Sequence, residues 1–353
     1  MLTHGGDLVG FAEQYGVEPL DFSVNTNPFG LSPKARAALT RAADRACAYP
    51  DPLSRRLRNA ISQQEQVPAA WIACGNGAAD LIWRIALAVK PKLALLPAPT
   101  FSEYETALRF AGCQIQYHPL CKEQDFRLQP DILDAITNDT DILFLCNPNN
   151  PTGLCVSPVL LRQILDRCHA CDTLLVVDEC FLGFLFQSEQ QSMKSQLAAF
   201  PNLLILKAFT KLYGMAGLRL GYCLCSDSNL LSRLREAGQC WPVSVAAEEA
   251  GIAALQDKAF VTKTLTWLPP ERERTAHAME ELGLTVWPGE ANYLFFHTDI
   301  PDYSQKMAEK GILIRDCSNY IGLSAGYCRT AILLPEQNDR LLNAMKQIRE
   351  EYG

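Results

Sequence analysis

The sequence lacks the apolar runs that a membrane protein needs. No stretch of its 353 residues approaches the roughly 18 consecutive apolar residues of a spanning helix. The first residues, MLTHGGDLVGFAEQYG, also lack the basic flank and the apolar core of a secretory signal peptide. We therefore expect a cytoplasmic protein without a membrane partner.

Blocks of basic residues are also missing. The chain has 32 Lys and Arg against 39 Asp and Glu, which gives a formal net charge of −7. An acidic chain without a basic patch offers little attraction to a nucleic-acid backbone. We expect no nucleic-acid partner, and an anionic ligand must be bound by local groups.

Cysteine is abundant, but the sequence lacks the paired motifs of a metal site. The 14 cysteines are scattered through apparent strands and helix ends, which suits small buried side chains in a reducing compartment. Only Cys168 and Cys171 form a CxxC motif, and no second pair lies nearby. We expect free thiols and no metal site.

Strand-like apolar runs alternate with helical windows through the first two thirds of the chain. This alternation is typical of an α/β protein with a mostly parallel sheet covered on both faces. Four runs carry the pattern most clearly: KLALLP (92–97), DILFLC (141–146), TLLVVDE (173–179) and NLLILKAF (202–209). After about residue 235 the pattern changes to a long helical region and then three strand-like stretches with helices between them. We predict an N-terminal arm (1–40), a large domain (41–235) and a small α+β domain (236–353), with the arm packing on the small domain.

Lys211 occupies an unusual position between the run NLLILKAF and an apolar, glycine-containing turn. Burying an ammonium group costs several kcal/mol unless the group is paired or loses its proton. Schiff-base chemistry uses a lysine of this kind. A surface lysine whose amine reaches water is the commoner alternative, so other motifs must decide.

Three further motifs support a reactive lysine. In CGNGAADLIW (74–83), a glycine turn opens a helical window and could hold a phosphate on backbone N–H groups. In LCNPNNPTG (145–153), Asn150 could donate its amide N–H to a ring oxygen, although an ordinary turn would look the same. Asp178 ends the apolar run LLVVD, where a carboxylate needs a cation such as a pyridinium N–H. Each motif is weak when taken alone.

Taken in order, GNG, NPNNPTG, VVDE and TK followed by GLRLGY resemble the fold-type I pyridoxal-phosphate enzymes, the aspartate aminotransferase superfamily. The resemblance covers essentially the whole chain. It implies a large domain with a seven-stranded, mostly parallel sheet between helices, plus a smaller α+β domain. It also implies a pyridoxal 5′-phosphate cofactor and a homodimer with shared active sites.

The resemblance assigns a role to each matching residue. Lys211 and Asp178 would be catalytic, the first by attaching the cofactor covalently and the second by keeping its pyridine nitrogen protonated. Tyr49, in AYPD, would reach the cofactor phosphate of the partner subunit, and Arg329, in YCRTAI, would bind the substrate α-carboxylate. Two of the remaining matches would hold the cofactor ring, Phe101 by stacking on it and Asn150 by a hydrogen bond to its phenolic oxygen. The other four would hold the cofactor phosphate: Gly77, Ala78, Thr210 and Arg219.

Three other segments, THGGD, LDFSVNTNPFG and ILIRDCSNYIGL, resemble the L-threonine-O-3-phosphate decarboxylases of cobalamin biosynthesis. The resemblance implies decarboxylation of L-threonine O-3-phosphate to (R)-1-amino-2-propanol O-2-phosphate. His4, Asn27 and Arg315 would bind the phosphate of this small phosphorylated amino acid. Histidinol-phosphate aminotransferases share much of the pattern and are the alternative. The HGG arm favours the decarboxylase, as does Phe181, because aminotransferases usually carry a tyrosine there.

The sequence departs from the family pattern near the cofactor phosphate. Ala208 stands three residues before Lys211, where the family often has a serine that contacts the phosphate. We expect weaker cofactor binding or a compensating group. The chemistry itself should survive, since Lys211, Asp178 and Arg329 are present. For the same reason we disfavour a third alternative, a non-catalytic descendant that only binds a ligand or partner.

Overall fold

A short N-terminal arm precedes the main body in the computed structural model, which describes residues 5–353. The arm comprises α1 (Leu8–Tyr15) and β1 (Leu20–Asp21). Asp7 caps α1 by accepting a hydrogen bond from the N–H of Gly10. The chain then enters α2 (Pro33–Ala42), which begins with Ser32 as its cap and proline in its first turn.

A seven-stranded sheet forms the centre of the larger part of the molecule. Its strands are β2 (Ile72–Gly75), β3 (Leu93–Ala98), β4 (Gln114–Pro119), β5 (Ile142–Cys146), β6 (Leu174–Asp178), β7 (Leu203–Ala208) and β8 (Gly221–Leu224). Their order across the sheet is β2-β8-β7-β6-β5-β3-β4, and β8 alone runs in the opposite direction to the other six strands. The predicted seven-stranded, mostly parallel sheet is therefore confirmed.

Both faces of this sheet are covered, because alternate residues of its strands enter two different cores. In β6, Leu175 and Val177 pack in one core and Val176 packs in the other. The helices around the sheet are α3 (Arg55–Glu65), α4 (Gly77–Val89), α5 (Ser102–Phe110), α6 (Ile132–Ala135), α7 (Pro158–Ala170), α8 (Ser188–Gln191), α9 (Ser228–Glu236) and α10 (Val245–Leu255).

The C-terminal part has a second sheet and its own core. It begins with α11 (Lys258–Glu281) and adds β9 (Thr285–Trp287), β10 (Tyr293–His297), α12 (Tyr303–Glu309), β11 (Ile312–Leu313), β12 (Arg315–Asp316), β13 (Tyr327–Ala331) and α13 (Pro335–Tyr352). Four of these strands form an antiparallel sheet in the order β12-β13-β10-β9. The region contains five strands where we expected three. The chain turns between Trp287 and Tyr293, and the stretch 311–320 is divided into β11 and β12, which belong to different sheets.

The arm pairs with this C-terminal part, since β1 lies parallel to β11. The domain boundaries at residues 40 and 235 remain a prediction. The packing crosses both boundaries. Ala35 of α2, from the predicted arm, and Ala247 of α10, from the predicted small domain, pack in a core of the large sheet.

The structure also describes the helix lengths, the state of the cysteines and the grouping of metal-binding side chains. None of the helices within residues 5–353 is both long enough and apolar enough to cross a membrane. The cysteines are unpaired, and Cys168 and Cys171 are buried in a core. In the same range, no group of three or more His, Cys, Asp or Glu side chains is arranged to hold a metal ion.

Candidate active site

A cavity of about 520 Å³ lies beyond the carboxyl ends of the parallel strands. This edge is where open α/β sheets bind ligands, because the loops that leave neighbouring strands converge there. The cavity also reaches β12 and β13 of the C-terminal sheet. Most of the predicted site residues line it: Ala78, Phe101, Asn150, Asp178, Thr210, Lys211, Arg219, Arg315 and Arg329.

The start of α4 forms a cradle for an anion. Gly77 has a φ of +84°, and a Cβ on it would lie 2.9 Å from Nη2 of Arg219, so a side chain here would displace the guanidinium. The Asn76 side chain does not cap the helix, which leaves first-turn N–H groups for a ligand. The helix end and the arginine both favour a phosphate.

Arg219 is held in a backbone conformation that non-glycine residues seldom adopt. Its φ is 53° and its ψ is 64°, in the left-handed region. Such conformations cost about 1 kcal/mol or more and are concentrated at functional sites. The backbone strain at Arg219 fits a residue whose guanidinium must point at the α4 terminus.

Lys211 is a buried lysine with reduced basicity. Burial and then the nearby charge of Arg329 lower the pKa of its amine to about 8. Its Nζ lies 5.2 Å from the centre of the Phe181 ring. A lysine with this pKa has a substantial neutral fraction near physiological pH, and the neutral amine is the form that attacks a carbonyl.

Asp178 ends β6, and hydrogen bonds hold its carboxylate on both oxygens. The hydroxyl of Tyr104 donates to Oδ2 at 2.6 Å, and the backbone N–H of Cys180 donates to Oδ1 at 2.9 Å. The residue is 5% exposed and lines the cavity. A buried, oriented carboxylate of this kind suits a cationic ring N–H.

Asn150 follows β5, and its side-chain oxygen is already used within the protein. The oxygen accepts hydrogen bonds from Nη1 of Arg329 and, at 3.4 Å, from the hydroxyl of Tyr320. The amide N–H₂ is therefore the group left to donate to a ligand, and its predicted bond to a ring oxygen stays a prediction.

Two buried arginines face each other across the C-terminal sheet. Arg315 of β12 and Arg329 of β13 are direct partners in the antiparallel register, and they are 8% and 6% exposed. Like charges placed directly opposite one another destabilise a strand pair. Local acceptors satisfy part of each guanidinium: Asn319 Oδ1 at 2.9 Å from Arg315, and the Ser23 carbonyl at 2.7 Å from Arg329. Both arginines also line the cavity, so an anionic ligand bound there would lie close to two guanidinium groups.

The structure does not bring Asn27 to the cavity with the other predicted residues. Asn27 does not line the cavity, because its Nδ2 donates to the Leu212 carbonyl at 2.7 Å and to Thr264 Oγ1 at 2.8 Å. Its backbone N–H also donates to the Lys211 carbonyl at 3.0 Å. Asn27 therefore anchors the loop that carries the lysine.

Asn25 stands at the cavity in place of Asn27. It is 1% exposed, and among the residues that the structure describes neither atom of its amide has a hydrogen-bond partner. Unpaired buried amides are costly, which indicates a ligand-binding role. The sequence offers no local signal for Asn25, because four consecutive residues, 23–26, line the cavity and no alternation separates them.

The cavity does not test the predictions for His4 and Tyr49. His4 falls outside the described residues, although Gly5 lines the cavity and the N–H of Gly6 donates to Ser23 Oγ at 2.8 Å. Tyr49 is 81% exposed and its ring lies 4.6 Å from that of Trp241. Its role in a partner's site remains a prediction.

The residues fit pyridoxal phosphate, judged by the chemistry of the cavity alone. The cradle at Gly77 and Arg219 suits its phosphate, Asp178 suits its ring nitrogen, and Lys211 suits its aldehyde. Ala208 lines the cavity without a hydroxyl, whereas Thr210 brings one to the same wall.

Comparisons with known proteins agree with this assignment. The family model for aminotransferase class I and II matches residues 17–345. The chain is 39% identical to a threonine-phosphate decarboxylase from Salmonella typhimurium, over 98% of this chain and 96% of the relative. A histidinol-phosphate aminotransferase from Clostridium acetobutylicum superposes with a TM-score of 0.88 at 25% identity, covering 94% of this chain and 99% of that one. An L-threonine-O-3-phosphate decarboxylase from Porphyromonas gingivalis superposes with a TM-score of 0.81 at 25% identity and the same coverage. The chain therefore belongs to the class I and II aminotransferase family.

Proposed function

We propose that this protein is a pyridoxal-phosphate-dependent decarboxylase of L-threonine O-3-phosphate. The observation that carries the proposal is the buried pair Arg315 and Arg329 on the wall of the cavity that holds Lys211. Two adjacent guanidinium groups on one cavity wall suit a ligand with two anionic groups. L-Threonine O-3-phosphate has a carboxylate and a phosphate, and the 39% identical relative is a threonine-phosphate decarboxylase.

The arginines and Asn25 fix how this substrate is oriented. Arg329 binds the carboxylate, because both of its terminal nitrogens keep an N–H beyond the ones bonded to Asn150 and Ser23. Arg315 and the unpaired Asn25 amide bind the phosphate. Anchoring both ends of a small molecule leaves it one orientation at the reacting carbon.

The cofactor and Lys211 then divide the chemistry. Pyridoxal phosphate, when bound, supplies an electron sink for the electron pair of the bond that breaks at Cα. Carbon dioxide leaves, and Cα must gain one proton to give 1-amino-2-propanol O-phosphate. Lys211 is the group that carries this proton, because its amine lies in the cavity and its pKa of about 8 lets it both bind and release a proton near neutrality.

Other residues would hold the cofactor itself. Gly77, Ala78, Thr210 and Arg219 would hold its phosphate, Phe101 its ring face and Asn150 its phenolic oxygen. Asp178 would hold the ring nitrogen in its protonated state. We further propose a homodimer in which Tyr49 reaches the partner's cofactor phosphate, as its exposed position on this chain allows. A cytoplasmic location is proposed on the basis of the unpaired cysteines.

The second candidate is a histidinol-phosphate aminotransferase, which is favoured by the TM-score of 0.88 to the Clostridium acetobutylicum enzyme. In that reaction the Cα–H bond would break instead, and Lys211 would be the group that accepts the proton from Cα. Histidinol phosphate has a phosphate but no carboxylate. It therefore offers the two guanidinium groups one anionic group in that half of the reaction, whereas L-threonine O-3-phosphate offers two.

The test is to incubate the cofactor-loaded protein with O-phospho-L-threonine and no keto acid. We expect carbon dioxide release over many turnovers, together with a product that is lighter by the mass of one carbon dioxide. A Lys211→Ala variant should release none, since the lysine is needed for either reaction.

The second candidate is correct if the protein transfers the amino group of histidinol phosphate to 2-oxoglutarate and releases no carbon dioxide from phosphothreonine. Failure of the wild-type protein to bind pyridoxal phosphate would refute both.

A further inference from the structure

Tyr104, on α5, contacts Asp178 from outside the cavity. Its side chain is fully buried, and its hydroxyl donates a hydrogen bond of 2.6 Å to Asp178 Oδ2. Tyr104 does not line the cavity, whereas Asp178 does. A residue in this position can influence a bound molecule only through its neighbours.

The bond from Tyr104 completes the orientation of the carboxylate. Cys180 N–H donates to Oδ1 at 2.9 Å, so both oxygens of Asp178 accept a hydrogen bond from the protein. Two bonds to two oxygens fix the rotation of the carboxylate plane. An ionised carboxylate accepts about four hydrogen bonds, which leaves positions that face the cavity.

The tyrosine ring is itself held by packing. It stacks on Phe144 with ring centres 4.8 Å apart and planes at 19°, and it meets the edge of Phe101 at 5.5 Å and 85°. Phe101 lines the cavity. Tyr104 therefore packs against one cavity-lining residue and hydrogen-bonds another.

The hydroxyl stays protonated and acts as a donor. Burial raises the pKa of Tyr104 well above its usual value, and the charge of Asp178 raises it further. A short O–H···O⁻ bond in a buried environment is among the stronger hydrogen bonds in proteins.

We propose that Tyr104 is a positioning residue: it aims the Asp178 carboxylate at the ring nitrogen of pyridoxal phosphate and thereby sets how tightly the protein holds its cofactor. This inference rests on the proposed role of Asp178 but not on which reaction the enzyme performs. Without the Tyr104 hydroxyl, Oδ2 of Asp178 loses its donor, and the carboxylate is free to rotate away from the cavity.

The test uses Tyr104→Phe, which removes one oxygen and keeps the ring packing. Equilibrium dialysis of the apoprotein with pyridoxal phosphate should show affinity at least tenfold weaker than that of the wild type. At saturating cofactor, kcat for phosphothreonine should fall while KM stays within about twofold, since the substrate anchors are untouched.

Tyr222→Phe is the matched control. Tyr222 is also a buried tyrosine that donates to a carboxylate, at 2.5 Å from Glu65 Oε1, but neither residue lines the cavity. This variant should keep the wild-type cofactor affinity. An equal loss in both variants would overturn the proposal, because it would indicate a general effect of losing a buried hydroxyl.

A double-mutant cycle separates a role through Asp178 from a direct one. In an Asp178→Asn background, Tyr104→Phe should cause no further loss of cofactor affinity. A full additional loss there would overturn the proposal, as would wild-type affinity in Tyr104→Phe alone. A wild-type protein that binds no pyridoxal phosphate would instead refute the proposed function.

Discussion

At the scale of single residues, two asparagines two positions apart in one segment have opposite roles. Asn27 uses its side chain inside the protein, on the Leu212 carbonyl and on Thr264. Asn25 is equally buried, but its amide has no partner among the described residues. The protein thus satisfies one amide in its fold and leaves the other for a ligand.

Exchanging each asparagine for alanine should separate these roles. Asn25→Ala should raise KM for phosphothreonine about tenfold or more, because a hydrogen bond to a charged group is worth about 1.5–3 kcal/mol. Its thermal stability should not fall, since no internal bond is lost. Steady-state kinetics and thermal unfolding of the same preparation check both expectations.

Asn27→Ala is the complementary variant. It should lower the free energy of unfolding by about 1–3 kcal/mol, because the buried Leu212 carbonyl loses its donor. The proposed role of Asn25 would be contradicted if Asn25→Ala destabilised the protein and left KM unchanged.

At the scale of elements, the phosphate cradle depends on how closely β8 approaches α4. Gly221 is the first residue of β8, and a Cβ on it would lie 2.6 Å from the Ala78 nitrogen and 2.7 Å from the Gly77 carbonyl carbon. Both contacts are with backbone, which cannot move aside as a side chain could. The absence of a side chain at Gly221 therefore fixes the position of the helix terminus.

Gly221→Ala should displace the start of α4 and weaken pyridoxal phosphate binding about tenfold or more, since overpacking typically costs about 1–3 kcal/mol. Binding of pyridoxal, which has no phosphate, should fall much less. Dialysis with the two compounds measures the difference.

Gly217→Ala provides the control. It lies in the turn just before Arg219, but a Cβ there meets no heavy atom within 4 Å. Its cofactor affinity should match that of the wild type. Equal losses for pyridoxal and for pyridoxal phosphate in Gly221→Ala would contradict a specific effect on the cradle.

At the scale of the whole molecule, local patterns in the sequence predict the fold well. The apolar runs at 141–146 and 173–179 are buried on both faces and lie next to turn-forming residues, so they indicate parallel strands directly. Lys211 and Asp178 could also be found, because a charged residue at the end of such a run is conspicuous.

The remainder of the site depends on tertiary contacts that no local pattern specifies. The pairing of Arg315 with Arg329 is set by the register of two strands that are separated by a loop. The contact of Tyr104 with Asp178 joins residues 74 positions apart. The resemblance of LDFSVNTNPFG to the decarboxylases assigns Asn27 to the substrate phosphate, and only its bonds to the Leu212 carbonyl and Thr264 reveal a structural role.

The proposed homodimer predicts that two inactive variants can complement one another. Lys211→Ala and Tyr49→Ala damage different subunits of the same shared site. A hybrid dimer then has one site with both defects and one intact site, so random mixing should restore up to about one quarter of wild-type activity. The measurement is carbon dioxide release after the two variants are unfolded and refolded together.

A mixture of Lys211→Ala with Asp178→Ala is the control. Both residues line the cavity of one chain, so every site of every dimer lacks one of them and no activity should return. If Lys211→Ala and Tyr49→Ala also failed to complement, Tyr49 would not act across the subunit interface.

The proximity of Arg329 to Lys211 couples the charge of the substrate to the acidity of the lysine. The positive charge of Arg329 lowers the pKa of Lys211, and a carboxylate bound to Arg329 would offset that charge. With the proposed substrate carboxylate bound to Arg329, Lys211 would be a stronger base. Loss of that carboxylate as carbon dioxide would remove the offsetting charge, and Lys211 would become a stronger acid. Departure of the leaving group would thus promote the protonation that completes the proposed reaction.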